Sequence, residues 1–309
     1  MNACGRLALG TAQWGAVYGI TNSAGRPSDA MVERMLGAAS RAGAAMLDTA
    51  CAYGEAEQII GSGIAARDFE VVTKTDPRLA AGAEGIEASI EASLAALGRE
   101  RVYALLVHHG ESLLTEGDAH WRALERAKRR GIAGKIGVSV YHPEVLRMLL
   151  DRFSIEVVQL PASLYDQRFA RSGLLDELAR RGVEVHVRSI FLQGLILLAP
   201  EHLPAHFSGL ARHQRRLHAH LAAQGLTPFE GALRHALGDP RVARVVVGTE
   251  TEAQLDALLA AATRAQDALP PTDLAEFALE DERVVLPFNW PTAARAFTSA
   301  TNKEGNSYE

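Results

Sequence analysis

The sequence predicts an α/β fold, a (β/α)8 TIM barrel, on three observations. Eight short runs rich in β-forming residues alternate with longer amphipathic stretches along 309 residues. The runs are nearly continuous in apolar residues rather than alternating, which marks parallel strands buried on both faces. The first run passes into LGTAQWG, whereas a doubly wound open sheet usually opens with GxGxxG at that point.

The first strand, 7–10, precedes a helix at 28–43, where Ser28 and Asp29 supply a start and Gly43 a stop. The second strand, 45–48, ends on Asp48 and leads through ACAYG into a helical stretch at 55–66. The third, 69–74, ends on Lys74 and is followed by a helix at 82–97. The fourth, 102–108, ends on His108, ahead of a helix at 118–131. Strands at 132–139, 155–160 and 183–189 are followed by helical stretches at 142–152, 171–182 and 208–238. An eighth strand at 242–248 and a helix at 251–263 close the series. Residues 1–263 therefore read as one barrel domain. Residues 264–309 read as a C-terminal extension: a PP pair, an acidic DLAEFALEDE, then FNWP and a polar tail, TNKEGNSYE, expected to be disordered.

The net charge of −5 gives no basic field for nucleic acid or an anionic membrane, so neither partner is expected. No apolar stretch approaches a membrane span, and the N-terminus lacks the basic-then-apolar order of a signal peptide. Cys4 and Cys51 have no ligand spacing, which argues against a disulfide scaffold or zinc site and fits a cytoplasmic protein. The histidines at 202, 206, 213, 218 and 220 are interrupted by Pro204, and 218 and 220 face different sides of a helix. A solvated surface is expected there, and no metal.

In a barrel, function gathers where strands end and βα loops begin. Asp48, Tyr53, Lys74 and His108 all fall in that zone, after strands two, three and four, and neighbouring strands lie about 5 Å apart. A tyrosine hydroxyl is too weak an acid near neutrality, and a nearby lysine cation lowers its pKa. Asp48 would keep Lys74 charged, Lys74 would tune Tyr53, Tyr53 would hand a proton to an oxygen, and His108 would orient that oxygen. The set suits carbonyl reduction, and none of the four supplies a hydride, so a nicotinamide is required. Taken singly, each has a plainer reading: a turn cap, a packing ring, a strand-end charge, a core imidazole. Four suitable residue types in consecutive βα units change the odds.

With these residues in view, the chain resembles the aldo-keto reductase family from Leu7 to about Leu258. DTACAYGEAEQIIG, VVTK, SLAALGRERVYALLVHH and GIAGKIGVS are similar, in order, to four family segments. The resemblance implies Asp48, Tyr53, Lys74 and His108 as the catalytic tetrad and a nicotinamide dinucleotide across the strand ends. Its cofactor contacts would be Gly10, Thr11, Asp48, Ser139 and Gln159, then Arg188, Ser189, Gln193, Gly194 and Leu195, and finally Gly248, Thr249, Thr251 and Gln254. Val140 stands where the family often has Asn, and Arg188 where it usually stacks an aromatic on the nicotinamide. NADP(H) is the implied cofactor, with NAD(H) as the alternative, because Glu250 lies where many members clamp the 2′-phosphate with a basic residue. Trp14, His108 and Arg188 are the expected substrate contacts, with Trp290 and Phe288 near the pocket and Cys51 a small buried filler.

The expected function is interconversion of an alcohol with a small polar or sugar-like carbonyl, since aromatic residues are only 6% of the chain. Arg188 would suit an anionic group. Sugar oxidation at C1 by the same tetrad, a cofactor-bound sensor with little turnover, and a Schiff-base lyase using Lys74 are the rival readings.

Overall fold

The computed structural model describes residues 3–16, 19, 22, 24–76, 82–265 and 271–291. Eight strands run in parallel, each bonded to the next and the last to the first, so that the sheet closes. They are β1 (Leu7–Gly10), β2 (Met46–Asp48), β3 (Glu70–Thr75), β4 (Val102–Val107), β5 (Ala133–Ser139), β6 (Val157–Pro161), β7 (Glu184–Arg188) and β8 (Arg244–Gly248). The expected TIM barrel is the observed one, and each predicted strand overlaps an observed strand.

The main helices are α1 (Asp29–Arg41), α2 (Ala56–Ser62), α3 (Gly82–Leu97), α4 (Leu113–Arg129), α5 (Pro143–Leu150), α6 (Leu174–Arg181), α7 (Ala211–Ala223), α8 (Pro228–Gly238) and α9 (Glu252–Arg264). The Ser28 side chain caps α1 as expected, accepting from the Met31 amide. Two predicted helices are broken by glycine. Gly225, at φ 71°, ends the run after α7, and a capping box between Thr227 and Glu230 with Pro228 behind it starts α8 afresh. Gly173, at φ 78°, separates the short turn Arg168–Arg171 from α6. The fourth helix begins at Leu113, earlier than its apolar pattern suggested.

Alternation along the strands divides the barrel wall into two faces. Leu7, Leu9, Leu47, Val71, Leu105, Val107, Val158, Val245 and Val247 pack outward in the main core with the helices. Ala8, Met46, Val72, Ala104, Leu106, Val157 and Val246 form a separate apolar cluster that fills the middle of the barrel. Beneath that plug, the starts of β5 and β7 contribute a polar layer. The Lys135 ammonium pairs with Glu184, Tyr103 donates its hydroxyl to Glu184 at 2.7 Å, and His186 Nε2 lies 2.7 Å from the same carboxylate.

Beyond α9, residues 271–291 are short helical turns rather than irregular chain. They build a second apolar cluster with α7 and the loop after β7. Trp290 is fully buried in it, edge-on to Phe207 at 4.9 Å, with Nε1 donating to the Val284 carbonyl at 3.0 Å. It is therefore a packing residue, not a pocket wall. His213 Nε2 meets the Phe277 carbonyl at 3.1 Å and His218 Nε2 the Ile196 carbonyl at 2.9 Å, so these two half-buried histidines pin neighbouring segments to α7 instead of forming a solvated surface. The TNKEGNSYE tail lies outside the described residues.

Burial would raise the Glu184 carboxyl, but hydrogen bonds from His186, Lys135 and Tyr103 outweigh it and hold the group at about 2. A depressed folded-state pKa stabilises the fold above the ordinary carboxyl value, and that contribution is lost as pH falls toward 2. Glu184→Gln should therefore lower stability near neutrality by about 1.5–3 kcal/mol. It should also flatten the acid limb of the melting temperature between about pH 4.5 and pH 2. Thermal unfolding across that range checks both; an unchanged acid limb would mean Glu184 does not carry it.

Candidate active site

Asp48 ends β2, in register with Gly10 and Val72, and Lys74 lies beside Leu106 near the end of β3. Their side chains meet in the barrel mouth. Lys74 Nζ donates to Asp48 Oδ1 at 2.6 Å and to the Thr49 carbonyl at 2.8 Å, with both charged groups almost fully enclosed. Gln159, from β6, donates Nε2 to the other Asp48 oxygen at 2.6 Å. Tyr53 lies beside this pair, its ring centre 5.1 Å from the Lys74 ammonium. His108 stands edge-on to Tyr53, ring centres 5.5 Å apart. The four residues that the sequence singled out are thus brought to one end of one barrel.

Tyr53 is held by backbone, not by its side chain. A Cβ at Gly15 would lie 1.6 Å from the Tyr53 carbonyl oxygen, and one at Gly54, whose φ is +56°, would lie 2.6 Å from the Gly15 carbonyl oxygen. The loops after β1 and β2 therefore touch main chain to main chain at the tyrosine, which only glycine permits. The same tight turn folds Trp14 inward. It is 1% exposed within the main core, so it packs and does not line a substrate pocket. Cys51 is half-buried rather than buried, and desolvation raises its thiol. Gly15→Ala should displace Tyr53 and lower kcat by about tenfold or more, because a 1 Å misplacement can cost about 100-fold. A Gly15→Ala protein with native kcat and an undisturbed β1 loop would refute that constraint.

The electrostatics differ from expectation in one respect. Burial first, then the Asp48 carboxylate, push the Tyr53 hydroxyl well above its ordinary value, and Arg188 is the cation that opposes them. Lys74 was expected to acidify Tyr53, but its charge is matched at contact by Asp48, and burial lowers its own pKa. His108 is pushed well below the usual imidazole range, first by burial and then by Lys74, so it is neutral near pH 7. Its Nδ1 is buried with no partner among the described residues. Asp76, His108 and His109 bring three donor atoms within 4.8 Å of one another. The two imidazoles lie face to face at 4.7 Å and 16°, however, so their in-plane lone pairs run parallel instead of converging, and no metal site is assigned.

The expected dinucleotide contacts line the same mouth. Ser139 and Gln159 are paired across β5 and β6 and buried. Thr11 donates its hydroxyl to the Asp48 carbonyl at 3.1 Å, and Gly10 faces Gly248 across β1 and β8. After β7, Ser189, Leu192 and Gln193 all have positive φ, as does Gly194, and Leu195 is buried just beyond. Three non-glycine residues in the left-handed region are costly, and such strain concentrates at ligand-binding loops. After β8 comes Thr249, and Thr251 caps α9, whose first turn offers unpaired amides suited to an anion. The residues fit an extended dinucleotide on these grounds. Glu250 and Gln254 bond each other, and Arg34 of α1 reaches Glu252 at 2.7 Å, a basic group beside this segment that local sequence did not reveal.

Arg188 projects from the end of β7, its guanidinium 4.1 Å over the Tyr141 ring. Tyr141, Asp76 and His109 had no assigned role in the sequence reading. Phe288, 43% exposed, stands edge-on to Tyr141 at 4.9 Å and brings the C-terminal segment to the same rim.

Comparison with known proteins agrees with this geometry. The model of the Aldo/keto reductase family matches residues 6–276. An aldo-keto reductase of Mycolicibacterium smegmatis is 35% identical over 130 residues, 41% of this chain and 46% of the relative. One of a Mycobacterium species is 34% identical over 140 residues, with the same shares. The matched stretch thus spans about half the length of these curated relatives. Among solved structures, the holo form of an aldo-keto reductase from Bacillus halodurans has a TM-score of 0.73 at 21% identity, covering 90% of this chain and 95% of that one. A thermostable aldo-keto reductase in complex with the inhibitor epalrestat gives 0.67 at 22%, covering 90% and 94%. Likeness at this identity shows the barrel fold.

Proposed function

This chain belongs to the aldo/keto reductase family, and from that premise we propose that it is a nicotinamide-dependent oxidoreductase interconverting a carbonyl and an alcohol, with Tyr53 as general acid and base. The observation that carries the reading is the enclosed Lys74–Asp48 pair beside Tyr53, with neutral His108 at its edge. A bound nicotinamide dinucleotide supplies the hydride. Burial and Asp48 keep Tyr53 protonated, so it holds the proton that the carbonyl oxygen needs as the carbon is reduced. Lys74, 5.1 Å from the ring centre, stabilises negative charge as it grows on the phenol oxygen. His108, neutral, orients the carbonyl oxygen by hydrogen bonding. Alcohol oxidation, including oxidation of a sugar at C1, runs through the same groups in reverse.

Lys74 is fully enclosed and bonded to Asp48 and Thr49, which disfavours a Schiff-base role. A sensor with little turnover has no observation in its favour. Gly10, Thr11, Ser139, Gln159, Arg188, the 189–195 loop and the Gly248–Gln254 segment would bind the dinucleotide. NADP(H) follows from the family, and Glu250 is the observation favouring NAD(H). Residues 1–263 would carry the chemistry, and Phe288 of the C-terminal segment would shape the entrance for a small polar carbonyl. Among the described residues no helix is long and apolar enough to cross a membrane, and the unpaired Cys4 and Cys51 suit a reducing cytosol.

Tyr53→Phe should lower kcat by about 100-fold or more while leaving dinucleotide affinity within about twofold. Fluorescence titration with the cofactor alone separates the two effects, and an active Tyr53→Phe enzyme would remove the proposed acid. Titration of the wild-type protein with NADPH and NADH side by side should give the tighter constant for NADPH; a tighter constant for NADH would assign the Glu250 segment to the ribose hydroxyl instead.

A further inference from the structure

Arginines at the surface of a barrel normally find partners, and two of this chain's half-buried ones do so fully. Arg168 is held by both oxygens of Asp166, by Glu282 and by the Tyr141 carbonyl, and Arg241 is held by Asp239 and Asp176. Arg188 is different. Its nitrogens reach only neutral oxygens at the limit of hydrogen bonding: Ser189 Oγ at 3.5 Å, Ser139 Oγ at 3.5 Å and the Val140 carbonyl at 3.3 Å. No carboxylate of the described residues pairs with it, although its charge is felt at Tyr53, Lys74 and His108 together. The cation therefore faces the reacting groups with its strong bonds unmade.

Its orientation is fixed from one side. The Tyr141 ring lies 4.1 Å from Cζ, and that ring is itself braced edge-on by Phe288 at 4.9 Å and anchored by its amide, which donates to Glu111 Oε1 at 3.1 Å. A guanidinium stacked on an aromatic spends a face on the ring, while its N–H donors all lie in its plane. The edge is the part suited to a carboxylate, which takes two parallel bonds from such a fork. Stacking and anion recognition thus use different parts of one side chain.

We propose that Arg188, laid flat on Tyr141, forms a carboxylate-recognition subsite, so that the substrates are short aldehydes or ketones bearing an acid group, the carbonyl at Tyr53 and the carboxylate at the Arg188 edge. Tyr141 is the positioning residue of this subsite. The inference rests on the reading of the site as a carbonyl-reducing one.

The test compares matched pairs, 4-carboxybenzaldehyde with benzaldehyde and 4-oxobutanoate with butanal, each at saturating reduced dinucleotide. Wild-type kcat/KM should favour the acid of each pair by about 10- to 100-fold, the range of a charged hydrogen-bonded pair. Arg188→Met should bring both ratios near unity, and Arg188→Lys should keep part of the preference, since an ammonium lacks the fork. Tyr141→Leu should lower the ratio, and Tyr141→Phe, which keeps the ring, should retain it. A ratio cancels any change in cofactor affinity or folded fraction common to both substrates, and the wild-type comparison needs no variant. Reduction of the neutral aldehydes with no preference for the acids overturns the subsite alone, as does a preference that survives Arg188→Met. No reduction of any of the four with either dinucleotide overturns it together with the carbonyl-reducing reading.

Discussion

An ammonium and a carboxylate enclosed at the mouth of the barrel set the terms for everything around them. Removing two such charges from water costs several kcal/mol for each, and mutual attraction offsets that only when every remaining lone pair and proton finds a partner. Here the requirement is met from four directions: β2 supplies Asp48 and the Thr49 carbonyl, β3 supplies Lys74, and β6 supplies Gln159. Parallel pairing of β2 with β3, and closure that brings β6 within reach, are what make the arrangement affordable. The closed sheet and the polar cluster are therefore conditions for one another: a slip of one residue in β3 would turn Lys74 out of the barrel and leave Asp48 buried without a counter-charge.

A fully matched pair also projects little field beyond itself. That explains why Tyr53, beside Lys74, keeps a strongly held proton, and why the cation it senses is Arg188 from across the mouth. The phenol starts as a firm proton store, and the lysine acts on charge that develops there. A neutral His108 completes the set, since its own protonation is disfavoured by burial and by the same lysine.

Much of this was legible in the sequence because it rests on local pattern. Continuous apolar runs mark parallel strands, and the residue that ends each run is placed at the mouth by the strand itself; Asp48, Lys74 and His108 needed nothing more. Tyr53 needed a spacing, DTACAYG, that a family motif supplies. What was not legible depends on close approach between segments distant in sequence. The main-chain contact of Gly15 with Tyr53 turns Trp14 into the core, the docking of the C-terminal segment turns Trp290 inward, and the Tyr141 ring gains meaning only once β7 lies near β5. Helix breaks at Gly173 and Gly225 were written in the chain as glycines, yet the apolar periodicity ran on past both and masked them.

The dry disc of Ala8, Met46, Val72, Ala104, Leu106, Val157 and Val246 has a further consequence. It acts as an electrical spacer between two wet ends of one cylinder, the lower built around Glu184 and the upper around Asp48. Charge can be rearranged below it with little influence on proton movement above it, and the upper rim can be remodelled for new chemistry without loosening the foundation. A lineage carrying such a partition can explore reactivity and robustness as separate problems.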